Sequence, residues 1–258
     1  MSSPKYFAVV TGASRGMGAA IAQALLEGGH RVLCISRNES ATLARVAQAH
    51  GASCEQWQAD LADPAAVAQR LESWLQGQDA RGIARAVLVN NAAAIASLVP
   101  LEASEPQDLA RTLRVGLEAP MLLAAAFLRG TAAWPARAAG ECRVLNISSG
   151  LGRRAMASQG AYCAVKAGLD HFTRSLALEQ AGAVHPVRVV SLAPGVIDTD
   201  MQAEIRAADP AAFPDHARFV QLKAAGHLDS PAEAARKVLA YLDRDDFGAS
   251  PVADVRDP

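Results

Sequence analysis

The chain reads as an α/β protein, a doubly wound parallel sheet of about seven strands with helices on both faces. Three observations predict it. Short β-branched runs alternate with longer Ala/Leu/Arg segments of helical period along most of the 258 residues. A glycine-rich turn, Thr11-Gly12-Ala13-Ser14-Arg15-Gly16-Met17-Gly18, stands between the first strand and the first helix. The composition, 51% apolar and 20% charged, suffices for a sizeable core, and no low-complexity linker divides it. One domain over residues 1–258 is expected, with no internal repeat.

The elements follow in order. Tyr6–Thr11 is a β-branched run and the first strand. Gly16–Glu27 is a helix, closed by Gly28-Gly29. Arg31–Ser36 is the second strand, and Ser53–Trp57, more polar, a weaker third. Asp63-Pro64 opens a helix, since proline at the first helical position has no intrahelical N–H to lose. Ala86–Asn90 is strand four, Asp108–Leu128 a long helix, and residues 130–141 a loop. Cys142–Ser148 is strand five, and a helix runs from Gln159 to about Glu179. Strand six is Val187–Ala193. From residue 194 to about 228 the rhythm breaks, with Pro194-Gly195, Pro210 and Pro214, as suits a mobile lid. Ser230-Pro231-Ala232-Glu233 is a capping box opening a helix to Leu242, and Val252–Val255 is a last short strand.

A formal net charge of −1 supplies no basic field for nucleic acid or an anionic membrane. Cys34, Cys54, Cys142 and Cys163 show no CxxC spacing and no paired Cys/His pattern. They are expected to be reduced thiols of a cytoplasmic protein, with no metal site. No stretch approaches a membrane span, and the opening MSSPKYFAVVTG lacks the apolar region of an export signal.

The chemistry concentrates on Tyr162 and Lys166. Four residues apart on a helix, they stack one turn apart on one face. A phenol ionises near pH 10, and a nearby ammonium favours the phenolate, so an acid/base pair with a lowered Tyr162 pKa is expected. Ser149 follows a strand and offers a hydroxyl to a substrate oxygen. A tyrosine and a lysine at this spacing also occur on helices that do no chemistry. The glycine loop supplies close backbone approach, and the helix after it offers free N–H groups to a pyrophosphate. Its spacing is Gly-x3-Gly-x-Gly, not G-x-G-x-x-G.

In register, these stretches resemble the short-chain dehydrogenase/reductase family of the compact single-domain type. The landmarks are TGASRGMG, Asp60-Leu61, Asn90-Asn91-Ala92, Ser149, YCAVK and Pro194-Gly195-Val196-Ile197-Asp198-Thr199, and the resemblance spans residues 5–255. NISSGLG, GAYCAVKAGLDHFT and APGVIDTDMQAEIR are nearest to the sepiapterin reductases and the bacterial benzil reductases. The resemblance implies a Rossmann-type fold and an NADP(H)-dependent carbonyl reductase acting on a small ketone or dicarbonyl. Tyr162 would be the proton donor, Lys166 its modulator and a ribose ligand, and Ser149 the carbonyl anchor. Cofactor contacts would come from Gly12, Ser14, Arg15, Gly16, Met17 and Gly18, from Ser36, Arg37, Asp60, Leu61, Asn91 and Ala92, from Tyr162 and Lys166, and from Pro194, Gly195, Val196 and Thr199. Ser36 and Arg37, with Arg15, suit a 2′-phosphate rather than a bare ribose hydroxyl. Leu151, Met156, Met201 and Ile205 would wall the substrate, and Asp254 would approach it. A homodimer or homotetramer through helices 108–128 and 159–179 is implied. One departure opens an alternative. Gly116 stands where the family has an asparagine that holds a water to the lysine, so the chain is alternatively an NADP(H)-binding sensor or partner protein with weak or no catalysis.

Overall fold

The computed structural model describes residues 5–257, so residues 1–4 and Pro258 of the expected domain, with the start of the stretch read as lacking an export signal, lie outside the described residues. Seven parallel strands form one sheet in the order β3-β2-β1-β4-β5-β6-β7. They are β1 Lys5–Thr11, β2 Arg31–Ser36, β3 Ser53–Gln58, β4 Ile83–Asn90, β5 Cys142–Ile147, β6 Arg188–Ala193 and β7 Val252–Asp254. The helices are α1 Gly16–Glu27, α2 Ala41–Ala49, α3 Pro64–Gln76, α4 Pro106–Leu113, α5 Ala119–Gly130, α6 Pro135–Ala138, α7 Gly160–Ala181, α8 Asp200–Arg206, α9 His216–Ala224 and α10 Pro231–Leu242.

Strand alternation sorts the core onto two faces. Phe7, Val9, Leu33, Leu88 and Val144 point to one side and bury against Leu71 and Leu75 of α3 and Leu123 and Phe127 of α5. Ala8, Val10, Val32, Val87 and Leu145 point to the other and bury against Ile21 and Leu25 of α1 and Val238 and Leu242 of α10. Both faces being covered, the central strands read as near-continuous apolar runs, which is why their positions were legible. The strand order reverses between β1 and β4, and a crevice opens there at the carboxyl ends of the strands.

The expected long helix is one continuous run, α4 and α5 joined through a π-helical segment at Arg114–Glu118. It begins at Pro106, two residues before the expected start, because proline tolerates that position. Residues 130–141, expected as loop, hold the last residue of α5 and the four-residue α6. The nine-residue α2, capped by Ser40, whose hydroxyl accepts from the Leu43 N–H at 3.4 Å, is an addition to the expected elements. The capping box before α10 is present in both directions.

Candidate active site

The crevice is built by strand ends. The hydroxyl of Thr11, closing β1, accepts from the Asn91 and Ala92 N–H groups at 2.9 and 3.0 Å, and the Asn91 amide returns a bond to the Thr11 carbonyl at 2.9 Å. This lock holds the glycine turn against the end of β4. Gly12 and Gly16 take φ of +67° and +57°, the left-handed region that glycine enters without strain. A Cβ on Gly18 would lie 2.3 Å from the Gly12 carbonyl oxygen, so the loop is drawn tight over the start of α1. No side chain caps that helix, which leaves its first N–H groups directed at the crevice. A tight backbone cradle with free donors at a helix N-terminus fits a dinucleotide pyrophosphate.

Behind it, Asn90, Asn146 and Thr173 form a buried chain: the Asn90 amide donates to Asn146 Oδ1 at 2.9 Å, and the Asn146 amide to Thr173 Oγ1 at 2.9 Å. It ties β4, β5 and α7 together and so sets the depth of α7 beneath the crevice. Tyr162, Lys166 and Asp170 then fall at successive turns on one face of α7. Lys166 is 2% exposed, and its Nζ donates to the Ile147 carbonyl at 2.7 Å while standing 5.5 Å from the centroid of the Tyr162 ring. Asp170, buried behind it, accepts from the Ser148 hydroxyl at 2.5 Å and the Ser191 hydroxyl at 2.7 Å, and pairs with Arg153 at 3.3 Å.

Burial pushes the Tyr162 phenol up to about 12, although a hydrogen bond with Ser149 pulls the other way. The expectation of a lowered Tyr162 pKa is therefore corrected: desolvation of the phenolate dominates. The same burial pulls Lys166 down to about 8, and Asp170 opposes that fall. At neutral pH the tyrosine thus holds its proton.

The cleft encloses about 720 Å³. It is lined by Ser149, Tyr162 and Lys166, and by every predicted cofactor residue: Gly12, Ser14, Arg15, Gly16, Met17 and Gly18, then Ser36, Arg37, Asp60, Leu61, Asn91, Ala92, Pro194, Gly195, Val196 and Thr199. Leu151, Met156, Met201 and Ile205 line it too. Asp254 does not. Its carboxylate is forked by Arg256, whose Nε lies 2.7 Å from Oδ1, and the Arg256 side chain lines the cleft in its place. Arg15 is engaged by Asp200 at 2.8 Å, an exposed pair between the glycine turn and α8. The Ser36 hydroxyl donates to the Asn38 carbonyl at 2.8 Å and keeps its lone pairs for a donor.

Within residues 194–228, Ile205 of α8, Phe219 of α9 and Phe213 between them pack with Leu98 and Met156 as a third apolar cluster, and Ile205 and Phe219 line the cleft. Sequence reasoning missed Phe219, Gln159 and Arg111. Arg111 lines the cleft and pairs with Asp60 at 3.0 Å. Its one signal was a basic residue in the last turn of α4.

A family model described as short chain dehydrogenase matches residues 6–210. A benzil reductase ((S)-benzoin forming) of Bacillus cereus is 34% identical over 241 residues, covering 93% of this chain and 95% of that protein. A sepiapterin reductase of Meriones unguiculatus is 32% identical, covering 96% and 95%. A metagenomic short-chain oxidoreductase solved in complex with NADP superposes with a TM-score of 0.71 at 30% identity, covering 98% of this chain and 97% of that one.

Proposed function

The chain belongs to the short-chain dehydrogenase family and is an oxidoreductase acting on carbonyl or hydroxyl groups, and from that premise we propose that it is an NADPH-dependent reductase of small ketones and dicarbonyls. The observation that carries this reading is the convergence of Ser149, Tyr162 and Lys166 in one cleft with the glycine turn. Bound there, NADPH supplies the hydride. The Ser149 hydroxyl and the Tyr162 phenol hold the carbonyl oxygen, and Tyr162 delivers its proton to that oxygen. Its raised pKa suits a donor that is fully protonated at neutral pH. Lys166, charged below about pH 8, offers a positive charge beneath the phenol and a donor to a ribose hydroxyl. The benzil and sepiapterin reductase relatives, both named for carbonyl substrates, support a dicarbonyl or aromatic ketone.

Preference for NADPH over NADH rests on Arg37, exposed at the cleft beyond β2, and on Arg15, whose partner Asp200 is a surface ligand worth roughly 0–1 kcal/mol. A 2′-phosphate competes readily with such a contact. No helix among the described residues is long and apolar enough to cross a membrane. All four cysteines are free thiols, which suits the reducing cytoplasm.

The test is NADPH oxidation against diketones, aromatic ketones, pterins and quinones. Turnover of at least one class is expected. Tight NADPH binding without turnover of any would favour the sensor reading, for which Gly116 is the supporting feature. Titration of NADPH and NADH should show tighter NADPH binding, and Arg37→Ala should remove most of the difference, roughly 1.5–3 kcal/mol for one charge-assisted contact. Equal wild-type affinities would overturn the cofactor assignment.

A further inference from the structure

We propose that Gln159 is the anchor for the second oxygen of a vicinal dicarbonyl substrate, an inference that rests on the carbonyl-reductase reading above. Gln159 is only 4% exposed and lines the cleft. Its backbone carbonyl accepts from the Cys163 N–H at 2.9 Å, while its carboxamide is bonded to no described residue and is not sealed from the solvent of the cavity. A polar group at a cleft wall that no protein group satisfies is a point where a ligand can be held by a hydrogen bond. The neighbouring walls offer it nothing: Leu151, Met156 and Ile205 are apolar and belong to the cluster under the lid.

The backbone fixes where this amide sits. Ser158, immediately before it, has φ of +59° and is the one non-glycine residue of positive φ among the described residues. Its hydroxyl donates to the Ala212 carbonyl of the lid at 2.7 Å, which holds the unusual conformation in place. Gln159 is the N-cap residue of α7, three residues before Tyr162, and both residues line the cleft. With one carbonyl oxygen held by Ser149 and Tyr162, the oxygen on the adjacent carbon falls beside the Gln159 carboxamide, whose NH₂ donates to it. One C=O is reduced: its carbon gains the hydride from NADPH and its oxygen the Tyr162 proton. NADPH leaves as NADP⁺, solvent returns a proton to Tyr162, and the second C=O leaves unchanged on an α-hydroxy ketone. A simple ketone of the same shape leaves the amide unpaired, so the site selects dicarbonyls by a hydrogen bond as well as by shape.

The experiment compares benzil with deoxybenzoin, which lacks only the second oxygen, in wild type and in Gln159→Leu. Taking the ratio of kcat/KM for the two ketones in each protein cancels the greater intrinsic reactivity of the diketone. The expected result is a roughly tenfold smaller preference for benzil in the variant, with deoxybenzoin turnover and NADPH affinity within about twofold of wild type. Gln159→Glu, similar in shape and without the NH₂ donor, should behave alike and serves if the leucine variant does not fold. Calorimetric titration of benzil into the NADP⁺ complex of Tyr162→Phe, with and without Gln159→Leu, reads the contact independently of turnover and should weaken by the same factor. Equal losses on both ketones, no change on either, or a loss of NADPH affinity in place of the ratio change would each overturn the proposal. Absence of turnover on either ketone by the wild type, with NADPH bound, would instead remove the carbonyl-reductase reading and this inference with it.

Discussion

At the scale of single residues, the pair that organises the site works by opposed shifts from one cause. Burial keeps the proton on Tyr162 and loosens it on Lys166. In the reducing direction both must be protonated, the phenol as donor and the lysine as charge. Because Tyr162 stays protonated to about 12, the lysine sets the alkaline limit. A lysine pulled down to about 8 is charged below that pH and neutral above it, so kcat/KM for reduction should be level near neutrality and fall as pH rises through about 8. In Lys166→Arg the guanidinium keeps its proton, and whatever activity remains should lose that fall. A wild-type profile level to pH 10 would show that the lysine charge is not required. Tyr162→Phe should cut turnover by roughly 10²–10⁴ while NADPH binding stays near wild type, since the phenol acts on the substrate. Near-normal kcat in Tyr162→Phe would remove the proton-donor assignment. The i,i+4 spacing made this pair legible in the sequence. The direction of the tyrosine shift was not, because it depends on how deep the Asn90–Asn146–Thr173 chain sets α7, and no local pattern carries depth. Gln159 was hidden for a related reason: a polar residue at a helix start reads as a surface cap, and only its burial marks it.

At the scale of elements, the segment between α4 and α5 answers what glycine does at 116. The helix does deviate there, through the π-helical turn Arg114–Glu118. A Cβ on Gly116 would lie 2.5 Å from Val165 Cγ1, on the turn of α7 between Tyr162 and Lys166. Val165 is 1% exposed and β-branched, with one preferred rotamer on a helix, so it has little room to yield. Two effects compete in Gly116→Ala. Helix propensity favours alanine by roughly 1 kcal/mol, while overpacking a closed contact costs roughly 1–3 kcal/mol. The contact wins, so Gly116→Ala should lower the melting temperature, opposite to what propensity alone predicts. Gly116→Asn adds more volume and should destabilise further. Pairing it with Val165→Ala should restore stability beyond the sum of the single changes. Calorimetric melting of the four proteins decides it, and additive effects would mean that the two positions do not share one space. The expectation of a local bend was available from glycine's helix-breaking tendency. The partner that fills the space lies 49 residues further along, on another helix, and sequence spacing cannot pair them. The strands were legible because both faces of the sheet are covered and their runs are apolar. α2 was not, since its short amphipathic pattern buries only Leu43 and Ala47 deeply.

At the scale of the whole molecule, the question is what the outer faces of the long helices meet. Most large apolar side chains are inside, but Leu113 at the end of α4, Met121 on α5 and Leu178 on α7 stand 42%, 41% and 79% exposed. Along the outer face of α7, Ala164, Ala167, His171 and Ser175 lead to Leu178, a row of mainly small side chains that admits a second helix at close range. Such a face is better explained by a second copy than by solvent, and the proposal is a homodimer or homotetramer with α5 and α7 at a two-fold contact. A two-fold axis presents each residue twice, so a charge placed near it is doubled. Leu178→Glu combined with Met121→Glu should therefore separate the subunits while leaving each one folded, because neither position contributes to the core. Light scattering at micromolar concentration should give a multiple of the 26.9 kDa chain mass for the wild type and a smaller assembly for the double variant, with the same circular dichroism. The loss should also reach the cleft. α7 carries Tyr162 and Lys166 on its inner face, and a partner pressed on its outer face restrains the same helix. Reduced kcat with unchanged NADPH affinity in the separated form is the expected consequence. A wild-type monomer mass would remove the assembly, and full activity in a separated double variant would remove the link between assembly and site.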